Sequence, residues 1–450
     1  MSHRVIGIAG FPRERLAAFD DSPDTLVLID CRGPRRAVTL GLDELTKTIG
    51  RPLREVELDL LEIAAVIFSS DQCVLRGPNE AWVRDMWYHF PVRDAERWRE
   101  VQGLLLSLVH LATWDRIHVE LVPAEDPVPP PALPKGARPA EVDCVCLLSG
   151  GLDSFAGATM LLASERRPAF VIHRTGNPAV HAAQDAVLEA LRTLAPRGEI
   201  VAVRVPVHAS RVADPEFPLP PPEERENSQR SRSLLYLSLA CVVAVALEVE
   251  EVYVCENGIL ALHVPLAPSR VGSQSTRTAH PRLLSLFARL AAETLGREVK
   301  LLNPFVGQTK GELVRDTLRP YHSPETIRKT VSCWEAGRRP RPCGVCVPCL
   351  MRQLAFVYAG VGAEVYEYEL LREPARYVGS AGYRNLVDLL ALVRDFAVLS
   401  EQQLLWRHPA LLTEETPLEV ALATYRRYAR EVIAALRQEF PEAMRLLGNL

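Results

Sequence analysis

The stretch Cys144-Val145-Cys146-Leu147-Leu148-Ser149-Gly150-Gly151-Leu152-Asp153-Ser154-Phe155 decides how this chain folds. An apolar strand at 144–148 runs through two glycines into an apolar helix at 155–163, so the turn lies where a strand hands over to a helix N-terminus. Paired glycines bend the backbone sharply and bring successive N–H groups toward an anion, and the helix adds the positive end of its dipole. Ser149, Gly150, Gly151, Leu152, Asp153 and Ser154 are therefore the candidate phosphate-binding residues. Asp153, an acid in a phosphate site, makes chemical sense with Mg2+ between carboxylate and phosphates. Neither G-x4-G-K-[ST] nor G-x-G-x-x-G occurs, which argues against a Walker loop and a dinucleotide turn. A capped helix start is the bland reading of a bare Ser-Gly-Gly; the added acid, the second serine and the strand before them favour a nucleotide.

Downstream the pattern alternates: strands at 169–173, 200–207 and 252–255, helices at 180–194 and 233–247. Such alternation predicts right-handed crossovers and an α/β, doubly wound, mostly parallel sheet covered on both faces. A proline-rich excursion at 214–222 reads as a lid or a partner-facing loop. Upstream, 1–124 reads as an N-terminal α/β domain, with strands at 5–9, 25–30, 35–40, 82–92 and 116–122 and helices near 55–70 and 95–113. The two parts are joined by 125–142, where Pro127, Pro129, Pro130, Pro131, Pro134 and Pro139 predict a stiff extended linker. The core domain is assigned to 143–360. From 361 to 450 apolar residues recur at helical spacing, as in Leu386, Leu389, Leu390, Val393 and Phe396, giving a helical C-terminal region.

With 450 residues and 48% hydrophobic content the chain can fill two or three cores. A net charge of −4 supplies no global basic field, so nucleic acid is not the expected partner. The N-terminus has no long apolar segment and no run of about 18 apolar residues occurs, so neither secretion nor a membrane span is expected. Ten cysteines are too few for a disulfide framework. Four of them, Cys333, Cys343, Cys346 and Cys349, crowd together and predict a closed, structural Zn2+ site in a reducing, cytoplasmic setting. Iron–sulfur ligation is the rival reading, but the ferredoxin spacing is absent. Gly344 eases the turn, and Arg338, Arg339, Arg341 and Arg352 either offset the thiolate charge or face an anionic substrate. Cys144 and Cys146 read as small core residues, and His173, His181 and His263 as satisfied core or surface groups.

Further motifs fall in a telling order. Arg232 starts the helix after the proline-rich excursion; Asn303-Pro304-Phe305 precedes Thr309-Lys310-Gly311-Glu312; Thr330-Val331-Ser332-Cys333 leads to the cysteine cluster and Arg352. Together with the glycine loop they resemble the QueC family of 7-cyano-7-deazaguanine synthases over residues 143–360. The resemblance implies the N-type ATP-pyrophosphatase (PP-loop, adenine nucleotide alpha hydrolase-like) fold and an ATP-dependent, AMP-forming ligase. The carboxylate of 7-carboxy-7-deazaguanine would attack the α-phosphorus of ATP, pyrophosphate would leave, and an amine would take the acyl group. Asp153, Lys310 and Arg232 are the candidate catalytic residues, with an ion pair or surface solvation as the bland reading of the two cations. Two departures stand out. Ala279-His280-Pro281-Arg282-Leu283-Leu284 occupies the place of the family's Tyr-Pro-Asp-Cys-Arg segment, and regions are added on both sides of the core. The additions resemble QueC-like proteins of antiphage systems, which implies transfer to the N-terminal amine of a partner protein. The rival readings are nitrile synthesis with ammonia, a tRNA-modifying PP-loop enzyme, and a non-catalytic nucleotide-binding scaffold.

Overall fold

The computed structural model describes residues 2–19, 24–32, 38–77, 82–209, 219–226, 228–266 and 277–448. Residues 35–37 of the expected strand at 35–40, and 214–218 of the proline-rich excursion, lie outside these. Among the described residues ten strands form two sheets: β1 (Ser2–Gly7), β2 (Thr25–Ile29), β3 (Val38–Leu40), β4 (Asp85–Val92), β5 (Arg116–Pro123), β6 (Cys144–Leu147), β7 (Pro168–Arg174), β8 (Val201–Ala209), β9 (Glu251–Tyr253) and β10 (Lys300–Leu302). The first sheet, in the order β2-β1-β4-β5, is parallel throughout. The second runs β10-β9-β6-β7-β8-β3, parallel except at its edge, where Val38, Thr39 and Leu40 pair antiparallel with Ala209, His208 and Val207.

Cys144, Val145 and Cys146 of β6 are fully buried because helices cover both faces of the sheet, which is what a continuous apolar run in a parallel strand requires. From β6 the chain winds outward through β7 and β8, then crosses to the other side through β9 and β10. The strand order therefore reverses between β6 and β9. Loops leaving those two strands diverge, and the crevice between them at the C-terminal strand ends is where open α/β sheets bind ligands.

The helix Glu55–Cys73 packs on β1 and β2 of one sheet and on the helix Arg232–Ala246 that covers the other. It is buried nearly all round, acids included, and each buried acid meets an arginine: Glu57 with Arg51 (2.7 Å), Asp59 and Glu62 with Arg93 (2.6 and 2.9 Å), Asp71 with Arg84 (2.5 Å). Such pairing is the condition for tolerating buried charge. One apolar cluster extends from Val5 through this helix to Leu290 and Val299, and a second joins the helices Val347–Tyr358, Ala381–Val398 and Leu418–Glu439. No helix among the described residues is long and apolar enough to cross a membrane.

Candidate functional site

The glycine loop leaves β6 at the reversal point. Gly150 adopts φ +83°, and a Cβ there would come 3.0 Å from the Gln184 backbone nitrogen, so the loop needs glycine twice over. The helix Leu152–Ala163 begins three residues earlier than its apolar pattern suggests, and no side chain caps it. The serines brace the turn internally: the Ser149 and Ser154 hydroxyls are 3.0 Å apart, Ser154 donates to the Gly151 carbonyl at 3.1 Å, and the Gly151 N–H donates to Ser149 Oγ at 3.3 Å.

Asp153, 8% exposed, bridges from the loop after β6 to the loop after β9 and to Lys310. One carboxylate oxygen accepts from Lys310 Nζ at 2.7 Å and the other from Asn257 Nδ2 at 2.8 Å. Asn257, fully buried, also caps the short helix Gly258–Leu262, so the loop after β9 is locked onto the loop after β6. The adjacent Glu256 has one buried carboxylate oxygen without a hydrogen-bond partner among the described residues. Burial and then the charge of Asp153 push its carboxyl up to about 8. Arg232 makes no hydrogen bond to Asp153 or Lys310. Its Nε is buried and without a hydrogen-bond partner among the described residues, its guanidinium stands 5.6 Å from the Tyr236 ring centroid, and it acts on Glu256 through its charge.

Lys310 is held from behind by the C-terminal region. Thr309 and Lys310 start a short turn whose Thr309 hydroxyl donates to Glu431 of the helix Leu418–Glu439, and the Gly311 N–H donates to the same carboxylate at 3.1 Å. Any Cβ on Gly311 would collide with that carboxylate. From the same helix Arg427 bonds Glu312 at 2.8 Å, and the Tyr425 hydroxyl donates to the Ile259 carbonyl at 3.1 Å. Both partners of Asp153 thus lean on one helix from the end of the chain.

The four cysteines converge. Their sulfurs all lie within 4.8 Å of one another, with Cys343 and Cys349 Sγ 3.9 Å apart. A tetrahedron with Zn–S bonds of about 2.3 Å has edges of about 3.8 Å, so the set fits zinc. The Cys343 N–H points at Cys333 Sγ (3.3 Å) and the Cys346 N–H at Cys343 Sγ (3.4 Å), donors suited to thiolates. Gly344 turns at φ +79°, where a Cβ would strike the Tyr368 carbonyl. This cluster is tied to the glycine loop, because the Val331 N–H just before it donates to the Gly150 carbonyl at 3.0 Å. Arg352 directs its guanidinium to Glu364 (2.8 and 3.0 Å) and to Thr330 (2.8 Å). Arg339 likewise pairs with Glu335 rather than with a thiolate. His173 Nε2 donates to the Val207 carbonyl (2.7 Å), and burial holds the imidazole down to about 4, so it is a neutral core group.

Asn257, Glu256 and Glu431 escaped the sequence reading. An Asn-Gly pair right after a parallel strand was a usable signal for Asn257; nothing local distinguishes Glu431, which lies 120 residues from its partner Gly311.

A parallel α/β sheet with a glycine loop at its reversal point, beside a four-cysteine cluster fit for zinc, defines an α/β protein of the PP-loop type. The profile of a family described as "Queuosine biosynthesis protein QueC" matches residues 223–360, a span that holds the cysteine cluster, Lys310 and Arg232 but not the glycine loop. Three curated proteins named 7-cyano-7-deazaguanine synthase are similar: that of Methylobacillus flagellatus, 30% identical over 158 residues (34% of this chain, 58% of the relative); that of Hydrogenovibrio crunogenus, 25% over 132 residues (29% and 52%); and that of Nitrosococcus oceani, 26% over 228 residues (48% and 94%). The chain spans between half and three-fifths of the length of the first two. Over residues 223–360 the chain shares the sequence pattern of the QueC family.

Proposed function

We propose that the chain adenylates a carboxylate, of the 7-carboxy-7-deazaguanine kind, with ATP, and passes the acyl group to an amine. The observation that carries this reading is the buried Asp153–Lys310 pair beside an uncapped, glycine-lined helix start at the point where the strand order reverses. A polyphosphate laid on the loop amides would exchange the Lys310 ammonium from Asp153 to its own oxygens, leaving Asp153 to hold Mg2+, with Glu256 the nearest further carboxylate. Mg2+ would supply charge neutralisation between carboxylate and phosphates. A substrate carboxylate oxygen forms a bond to the α-phosphorus, the bridging bond to the β-phosphate breaks, and pyrophosphate leaves. The amine nitrogen then bonds the acyl carbon, loses a proton, and AMP departs. Catalysis of this kind is positioning and charge neutralisation, for which Lys310 and Arg232 are the cations to hand. Zinc held by Cys333, Cys343, Cys346 and Cys349 would fix the segment that braces the loop through Val331.

The amine in this proposal is the N-terminus of a partner protein, as in the QueC-like antiphage variants. The support is the additional sequence, 1–124 before the 125–142 linker and 361–450 after the 143–360 core, built around the adenylating site. Ammonia, giving an amide whose oxygen a second ATP activates so that it leaves with AMP and the nitrile forms, is the second reading, favoured by the names of the relatives. Incubation of the full chain with ATP, the carboxy-deazaguanine, ammonium and candidate partner proteins tests both. A mass increase on a partner, with stoichiometric pyrophosphate, supports protein ligation; free nitrile alone supports the second reading; ATP turnover without need of the carboxylate contradicts both.

A further inference from the structure

Arg230, just ahead of the helix Arg232–Ala246, is 2% exposed, yet its Nε and Nη2 have no hydrogen-bond partner among the described residues. A buried cation normally recovers its lost hydration from carboxylates or hydrogen bonds. Two carboxylates are in range and both are already taken. Asp115 binds Arg76 at 2.7 Å and Arg84 at 2.6 Å. Asp71 binds Arg84 at 2.5 Å, and its second oxygen accepts from the Ser231 N–H and hydroxyl, both at 3.0 Å. The Arg230 guanidinium lies 4.0 Å from the Trp82 ring centroid, on which Arg76 also rests at 4.5 Å. Arg277 adds a further cation in range, packed over Trp114 at 4.7 Å and donating to the Leu111 carbonyl at 2.8 Å. Burial holds Arg230 down to about 9 and Arg277 down to about 10. Here too begins the helix Pro281–Leu295, whose N-terminal end favours negative charge. Arg76, Arg84 and Arg230 therefore share two carboxylates with Arg277 beside them, and the surplus positive charge is buried.

We propose that Arg230 and Arg277 form a binding site for a small oxyanion, a phosphate or carboxylate group, where the first 124 residues meet the helix Arg232–Ala246. It is separate from the glycine loop: the helix Gly258–Leu262 stands between Asn257, which holds Asp153, and His263, which feels both arginines. The site stands whether or not the chain adenylates a carboxylate.

Thermal unfolding of the full chain at matched ionic strength, in chloride, inorganic phosphate or acetate, tests it. Wild type should melt roughly 3 °C or more higher in the preferred anion than in chloride. A response to phosphate alone assigns a phosphoryl ligand; a response to acetate alone assigns a carboxylate one. R230M, relieved of an unpaired buried charge, should melt above wild type in chloride and lose most of the anion-induced rise. The comparison with wild type cancels any anion bound at the glycine loop. R230M melting below wild type in chloride, with the rise undiminished, would overturn the site. Should R230M not fold, R277Q decides: a diminished rise supports the site and an unchanged one overturns it.

Discussion

Asp153 and Lys310 bury opposite charges against each other, and each is therefore a hazard without the other. Removing the ammonium by K310M leaves a carboxylate that only Asn257 still serves, so equilibrium unfolding should show a loss of about 3–5 kcal/mol. The double variant D153N/K310M should recover most of that stability. Pyrophosphate release should fall by about 100-fold or more in D153A and in K310M, and stay lost in the double variant, because the charge that meets the phosphates is gone. Restored turnover in the double variant would make the pair structural. Glu431 offers a test with a pH sign. Burial raises it from 4.5 to about 7 in the fold. Between those values the folded chain keeps a proton that the unfolded chain has released, so this group's contribution to stability falls as pH rises through the window and levels off above about 7. E431Q carries no such proton. The melting temperature of wild type should drop relative to E431Q between pH 5 and 7; a constant difference would remove Glu431 from the buried, protonated state.

Among the elements, the strand–loop–helix at 144–163 was legible because its composition and its geometry agree: the apolar run is a strand buried on both faces and the glycines sit at the forced turn. The cysteine spacing was legible for the same reason, since two short steps and one return suffice to close a tetrahedron. Less visible were β10, three residues of modest burial that only pairing with β9 makes a strand, and β3, whose partner lies some 170 residues away in β8. Long-range pairing leaves no local period to read. Replacing Cys343 by Ser should take zinc from about one per chain to none and lower the melting temperature. Because Val331 ties the cluster to Gly150, the same change should slow pyrophosphate release; zinc loss with full turnover would show the tie to be idle.

At the scale of the whole molecule, the mostly parallel, doubly wound character of the second sheet was foreseeable from alternation, but its strand order, the reversal between β6 and β9 and the arrangement of the flanking regions were not. Binary patterns state which face is apolar, and not which partner covers it. The helix Glu55–Cys73 reads as an ordinary apolar helix, while in the fold it is the layer between two sheets. The C-terminal helix Leu418–Glu439 reads as one more amphipathic segment, and it sits behind the site with Glu431, Arg427 and Tyr425. A chain ending before that helix should therefore lose pyrophosphate release as well as stability, checked by turnover and by unfolding of the shortened protein.

The measurement that bears most directly on the central claim follows an oxygen atom. With the substrate carboxylate labelled with 18O, attack on the α-phosphorus predicts one labelled oxygen in the released AMP and none in pyrophosphate. Label appearing in inorganic phosphate with ADP, or AMP formed without label, would contradict adenylation at this site.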